Sequence, residues 1–274
     1  MFRTNPVVPG IIHITDAMGV SFTLIEGSKR AVLFDTGYGT ENIRDFISGL
    51  TNKPTEVFLS HGHHDHVLGA RWLQKTFLCR EDMDEFRQRT GFSQREQVAA
   101  QARENRVALP EDFLNAFIPA PEPFSFPDRT AGFESLTEDL GGMTIRAIHV
   151  PGHTPGSIVL YIPEKGLLLT GDNWNPCTWM WFPSSMNADG WRENMMRLIN
   201  ALEQENGIRQ VLCSHQPAVR DGKEMEEYLD YMTDERMLEA PAVDMGTTID
   251  THQIKKGEWT LIFDRAKVIR ARQE

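Results

Sequence analysis

Ser60-His61-Gly62-His63-His64-Asp65-His66 places four histidines and one aspartate within six consecutive positions, directly after the apolar run Val57-Phe58-Leu59. The apolar run reads as a buried strand, so the cluster begins where that strand ends. Imidazole and carboxylate are the usual ligands of a borderline divalent metal such as zinc. Working outward, three more donors stand in similar surroundings. His153 lies in Pro151-Gly152-His153-Thr154-Pro155-Gly156-Ser157, Asp172 ends Thr170-Gly171-Asp172, and His215 ends Cys213-Ser214-His215. A His-rich surface loop would not explain these matching contexts. Even with His64 set aside, the remaining seven donors are too many for one tetrahedral ion and suit two ions that share a bridging carboxylate.

The rest of the chain alternates strand-like and helix-like segments. Ile11–Ile14, Phe22–Ile25 and Ala31–Phe34 are β-prone, and Glu26-Gly27-Ser28-Lys29 reads as a hairpin turn. A helix is expected to begin near Thr40 as its N-cap, with Ile43, Phe46, Ile47 and Leu50 at helical spacing. From Glu81 to Asn115 the composition predicts two or three helices, followed by an extended connector from Ile118 to Pro127 that carries four prolines. Strands are expected again at Thr144–Ile148, Ser157–Ile162, Gly166–Thr170 and Val211–Cys213. Helices are expected at Asp189–Glu203 and Gly222–Leu238, and two β-prone stretches fall between Thr247 and Ile269. The pattern reads as one domain over 1–274, with a helical insertion at 81–127 and a C-terminal extension at 218–274.

Composition narrows the function classes. The 274 residues include 39 acidic and 28 basic side chains, for a net charge of −11. That balance argues against a nucleic-acid partner and against an anionic membrane surface. Three scattered cysteines, Cys79, Cys177 and Cys213, do not make a disulfide framework and fit a reducing compartment. The N-terminal stretch has no signal-like apolar core, and no window is long and apolar enough for a membrane span. A cytoplasmic protein acting on a small molecule is expected, with its oligomeric state left open.

The four motifs, in this order, resemble the metallo-β-lactamase superfamily. The resemblance covers roughly Ile11 to Pro217. It implies an α/β fold in which two mixed β-sheets pack face to face with helices outside, an αββα sandwich. It implies a first metal on His61, His63 and His153, a second on Asp65, His66 and His215, and Asp172 bridging them. Two divalent ions are then the cofactors, zinc first and manganese or iron next. A hydroxide shared between them would attack an ester, lactone, thioester or phosphoester, with Asp65 and Asp172 as the catalytic carboxylates. Asp35, in Phe34-Asp35-Thr36-Gly37, is expected to orient a ligand histidine from behind. His64 is expected to point outward from the loop, and His13, His149 and His252 lack ligand contexts.

Departures from subgroup patterns matter too. Antibiotic-hydrolysing members typically carry cysteine where Asp172 stands, which disfavours β-lactamase activity. The glutathione thioesterase branch uses a basic helical C-terminal region. The basic tail here (Lys255, Lys256, Arg265, Lys267, Arg270, Arg272) has a β-like texture instead. Two other readings are a non-catalytic metal-binding member and a mononuclear iron oxidoreductase that handles sulfur; retention of all seven donors argues for hydrolysis. Finally, Asn173 to Pro183 holds three of the six tryptophans. Its prolines and amides argue against a regular strand or helix. Trp174, Trp179, Trp181 and Phe182 are therefore expected to form an apolar wall beside the metals. Such a wall suits an apolar lactone or ester, or a choline-bearing phosphoester held by cation–π attraction.

Overall fold

The structure is a computed structural model that describes residues 1–268. Ile269, Arg270 and Arg272 lie outside the described residues. The first sheet is built from β1 (Arg3–Val8), β2 (Ile11–Thr15), β3 (Ser21–Glu26), β4 (Ala31–Phe34), β5 (Thr55–Phe58), β6 (Phe77–Leu78) and β7 (Glu122–Pro123), paired in that order. It starts antiparallel and becomes parallel from β4 onward. The second sheet is built from β8 (Asp128–Thr130), β9 (Phe133–Asp139), β10 (Thr144–His149), β11 (Ile158–Ile162), β12 (Leu167–Leu169), β14 (Gln210–Leu212) and β15 (Arg220–Asp221), again neighbour to neighbour. A third sheet of three strands joins β13 (Cys177–Met180) to the hairpin β16 (Thr251–Lys256) and β17 (Trp259–Asp264). The helices are α1 (Ile43–Ser48), α2 (His64–Val67), α3 (Met83–Arg89), α4 (Phe92–Glu104), α5 (Ala188–Glu203), α6 (Gly222–Tyr231) and α7 (Asp234–Glu239).

Strand alternation explains the layering. In β4, Val32 and Phe34 point between the two large sheets, where they meet Ile158, Leu160 and Ile162 of β11. Ala31 and Leu33 point the other way, toward Ile43 and Ile47 of α1. In β11, Val159 and Tyr161 likewise face outward, onto Trp191, Met195 and Leu198 of α5. Strands covered on both faces have no polar side to show, so β4, β11 and β12 are buried throughout. The result is the αββα sandwich expected from the motifs.

Several elements differ from expectation. Asn42, not Thr40, caps α1, its side-chain oxygen accepting from Asp45 N–H. The acidic helix expected at 222–238 is two helices, because Thr233 caps α7 and accepts from Arg236 N–H. Strands β1, β8 and β9 were not expected; β9 reads Phe-Glu-Ser-Leu-Thr-Glu-Asp, and its charges mask the alternation of one half-buried face. Residues 173–183 contain strand β13, contrary to the loop expected there. Thr178 and Met180 are buried on one side and Cys177 and Trp179 exposed on the other. Pairing in parallel with β17 holds β13 in place, which no local signal could show.

The strand ends are held by close backbone approach. Thr36, just beyond β4, donates N–H and Oγ1–H to the His66 carbonyl at 2.9 and 2.7 Å. Gly69 lies against the same loop, and a Cβ there would stand 2.1 Å from the Thr36 carbonyl oxygen. Gly69→Ala is therefore expected to cost about 3 kcal/mol, the upper end for overpacking, read as a lowered urea midpoint with unchanged slope.

Candidate metal centre

The donors all follow strand ends on one edge of the sandwich. His61, His63, Asp65 and His66 follow β5, His153 follows β10, Asp172 follows β12 and His215 follows β14. Donor atoms of His61, His63 and His153 lie within 4.8 Å of one another, as do those of Asp65, His66, Asp172 and His215. Asp172 stands between the two groups. Its Oδ2 is 3.0 Å from His215 Nε2, 3.4 Å from His66 Nε2 and 3.7 Å from His153 Nε2.

Hydrogen bonds behind the ring aim the lone pairs inward. His153 donates Nδ1–H to the Trp179 carbonyl at 2.7 Å, which leaves Nε2 as the acceptor facing His63 Nδ1 at 3.1 Å. A carbonyl only accepts, so this tautomer is fixed. Asp35 Oδ2 accepts from His66 Nδ1 at 2.9 Å and from Ser60 Oγ at 2.8 Å, while Oδ1 accepts from Ser60 N–H at 2.6 Å. Ser60 Oγ in turn takes the Nδ1–H of His61 at 2.9 Å. The expected role of Asp35 thus extends to two histidines, one in each group. His63 Nε2 lies 3.2 Å from Glu85 Oε1, a close contact poorly aligned for a hydrogen bond. Nε2 of His61 and His66 and Oδ1 of Asp172 are buried without a hydrogen-bond partner. Orphaned buried acceptors are costly. Converging imidazole and carboxylate orphans are what a divalent ion would satisfy, so the residues present fit the metals that the fold family implies.

The electrostatics divide the histidines into two sets. Burial, reinforced by neighbouring imidazoles, holds His61 well below its ordinary range and His153 down to about 3. Both rings are neutral at pH 7, as ligands must be. Burial pushes the Asp65 and Asp172 carboxyls up, but the histidines beside them outweigh this and hold both well below the carboxylate range. Burial disfavours charge on His66 and His215 as well, but the carboxylates beside them outweigh it and raise both above the ordinary histidine value, so these two rings must release a proton to solvent before they can hold an ion.

Two expected positions are corrected. Trp174 is fully buried and packs edge-on against Tyr228 beneath the second sheet, so it belongs to the core rather than to the wall. His64 does not point outward. It lines the cavity, its ring edge-on to Tyr38 at 5.5 Å, and burial takes it down to about 4. Trp179, Trp181 and Phe182 do line a cavity of 440 Å³ that reaches Asp172 and His215. Phe182 sits 4.7 Å from the His63 ring and is stacked on Trp181 at 4.5 Å.

Some contributors carried no sequence signal. Asp82 accepts from Gly62 N–H, Gly156 N–H and Thr154 Oγ1–H, and so latches the His61–His66 loop to the His153 loop. Asn173 accepts from His153 N–H at 2.9 Å and donates to the Val150 carbonyl at 2.8 Å. Glu85 and Arg89 lie on α3, a turn apart, with Arg89 Nε donating to Glu85 Oε1 at 2.7 Å. The single signal was helical i,i+4 spacing, which says nothing of what the pair faces.

Comparison with known proteins matches this geometry. The family model of the metallo-beta-lactamase superfamily matches residues 15–215. The chain belongs to that superfamily. A hydroxyacylglutathione hydrolase of Haemophilus influenzae is 30% identical over 162 residues, 59% of this chain and 69% of that protein. An acyl-coenzyme A thioesterase of Bos taurus is 24% identical over 203 residues, 65% of this chain and 67% of that one. Among solved structures, a sec-alkylsulfatase from Pseudomonas superposes with a TM-score of 0.62 at 18% identity, covering 85% of this chain and 40% of its own. A metallo-beta-lactamase from Pontibacter korlensis gives 0.56 at 16% identity, covering 84% and 98%. These superpositions show the shared fold. Among the described residues no helix is long and apolar enough to cross a membrane.

Asp35 has φ +69°, a left-handed conformation that asparagine tolerates and most residues do not. Asp35→Asn should therefore fold, yet lose the charge that orders His66 and Ser60. A 10–100-fold loss of metal affinity is expected, measured by competition with a chromophoric chelator.

Proposed function

We propose that the chain is a dinuclear metal-dependent hydrolase whose substrate is a thioester or ester carrying an anionic group. The observation that carries this reading is the convergence of seven donors at one sheet edge, with buried, unpartnered atoms of His61, His66 and Asp172 among them. His61, His63 and His153 would hold one ion and Asp65, His66 and His215 the other, with Asp172 shared. Bound divalent ions, zinc first, supply Lewis acidity and activate water at neutral pH. The protein's own part is to aim and to exclude. Asp35 fixes two of the imidazoles, the Trp179 carbonyl fixes a third, and Trp179, Trp181 and Phe182 cover the cavity with apolar surface. This reading takes 1–274 as one domain, with α3 and α4 as an insertion that overhangs the site and 218–274 as an extension.

The substrate class follows from Arg89. Its guanidinium lies over the Phe182 ring at 5.6 Å and lines the cavity, and among the described residues only its Nε is hydrogen-bonded, to Glu85. The Phe182 ring face thus already has a cation on it. The Nη groups are donors for an anion instead. This favours an anionic carrier over the choline ester that the aromatic content first suggests. Relatives named for hydrolysis of glutathione and coenzyme A thioesters point the same way, because both carriers are anionic. Lys255 and Lys256 lie on β16 and are not among the cavity-lining residues.

The test is metal analysis of the purified protein, then a substrate screen across thioesters, esters, lactones and phosphoesters. Two ions per chain and turnover of at least one carbonyl substrate are expected. Asp172→Ala should lower both metal occupancy and turnover, the latter by about 100-fold; full occupancy with an unchanged rate would overturn the dinuclear reading. Arg89→Gln should reduce the preference for a charged over a matched neutral thioester by about 10–100-fold, the worth of one charge-assisted hydrogen bond. An unchanged preference would show that Arg89 does not read the substrate.

A further inference from the structure

A second cluster of metal-type donors lies outside the centre. Cys79 and Glu81 follow β6 of the first sheet, and His149 ends β10 of the second. One donor atom from each falls within 4.8 Å of the other two, and among the described residues this is the one such group beyond the seven donors already assigned. Cys79 Sγ is 2.9 Å from Glu81 Oε2. His149 Nε2 lies 2.8 Å from the Pro155 carbonyl oxygen, which can only accept. The ring therefore carries its proton on Nε2 and presents the lone pair of Nδ1. Phe126 stacks on the imidazole at 5.9 Å with ring planes 9° apart and holds its orientation. A fourth donor is close: Glu134 Oε2, on β9, is 3.8 Å from His149 Nδ1.

We propose that Cys79, Glu81, His149 and Glu134 bind a third divalent cation of the zinc and cadmium type, which joins the two sheets. The donor set decides the class of ion. One sulfur, one imidazole nitrogen and two carboxylate oxygens suit a tetrahedral, thiophilic cation; magnesium and calcium prefer oxygen alone. Without the ion, burial and the Glu81 carboxylate both keep the Cys79 thiol protonated. Binding exchanges the thiol proton for the cation and releases that proton to solvent, so occupancy rises with pH. Glu81 and Glu134 remain accessible at the surface, which gives the ion a route in. The location has a purpose. Glu81 is next to Asp82, and His149 and Pro155 flank the loop of His153, so an ion here would brace both loops that carry first-group donors.

Cobalt(II) separates this site from the hydrolytic centre, because the seven donors there include no sulfur. Full-length protein saturated with cobalt should show a near-ultraviolet thiolate-to-cobalt charge-transfer band and bind three ions. Cys79→Ser should abolish the band and remove one equivalent. His149→Gln should weaken that equivalent at least tenfold. Asp172→Ala should keep the band while losing occupancy at the other centre, so failure of the hydrolase reading would leave this result intact. Absence of the band, or a band that survives Cys79→Ser and so belongs to Cys177 or Cys213, would overturn the proposal. If Cys79→Ser does not fold, the measurement passes to Glu81→Gln and His149→Gln. A band of unchanged strength and affinity in both would overturn it equally.

Discussion

A single buried carboxylate organises the centre. Asp35 has no exposure to water, and an isolated charge in such a place would be very costly. It is stabilised by three donors: the Ser60 N–H, the Ser60 hydroxyl and His66 Nδ1–H. Each of these groups belongs to the segment after β5, while Asp35 itself directly follows β4. The pairing of two parallel strands and the aiming of two imidazoles are thus one arrangement, not two. The positive φ of Asp35 turns its side chain back toward Ser60, and the conformation persists because the hydrogen bonds over-determine it.

The same economy governs the link between the sheets. Asp82 binds backbone on both sides of the gap, which sets how far the His61–His66 loop stands from His153. Asn173 adds a second connection, joining His153 to the strand end that carries Asp172, while Trp191 of α5 donates to its carbonyl at 2.7 Å. The outer helix layer is therefore in contact with the chemistry. Packing defects in α5 would reach His153 through one amide.

Much of this could be read from the sequence, and the boundary has physical causes. The donors were legible because each sits in a short motif at the end of an apolar run, and strand ends cluster at one edge of a sandwich. Asp35 was legible for the same reason. Trp174 was not. Its neighbours Trp179 and Trp181 share its composition, and what separates them is the pairing of β13 with β17, a contact across about eighty residues. His64 was misplaced because its neighbours belong to the converging donor groups and it does not, so only the turn of α2 could show that it faces the cavity. Glu85 and Arg89 carry no signal beyond the i,i+4 spacing of two opposite charges on a helix. Their position over the site depends on how α3 docks, which no local pattern encodes.

Trp179 joins two roles that are chemically separate. Its indole covers the cavity, whereas its backbone carbonyl receives the proton of His153 Nδ1. A carbonyl is supplied by any residue, so the imidazole keeps its tautomer whatever side chain stands there. The surface that lines the cavity can accordingly be rewritten one residue at a time without disturbing the imidazole behind it. In a lineage under changing demand, this position would be expected to diversify early, while Asp35 and Asp82, whose side chains themselves do the binding, would stay fixed.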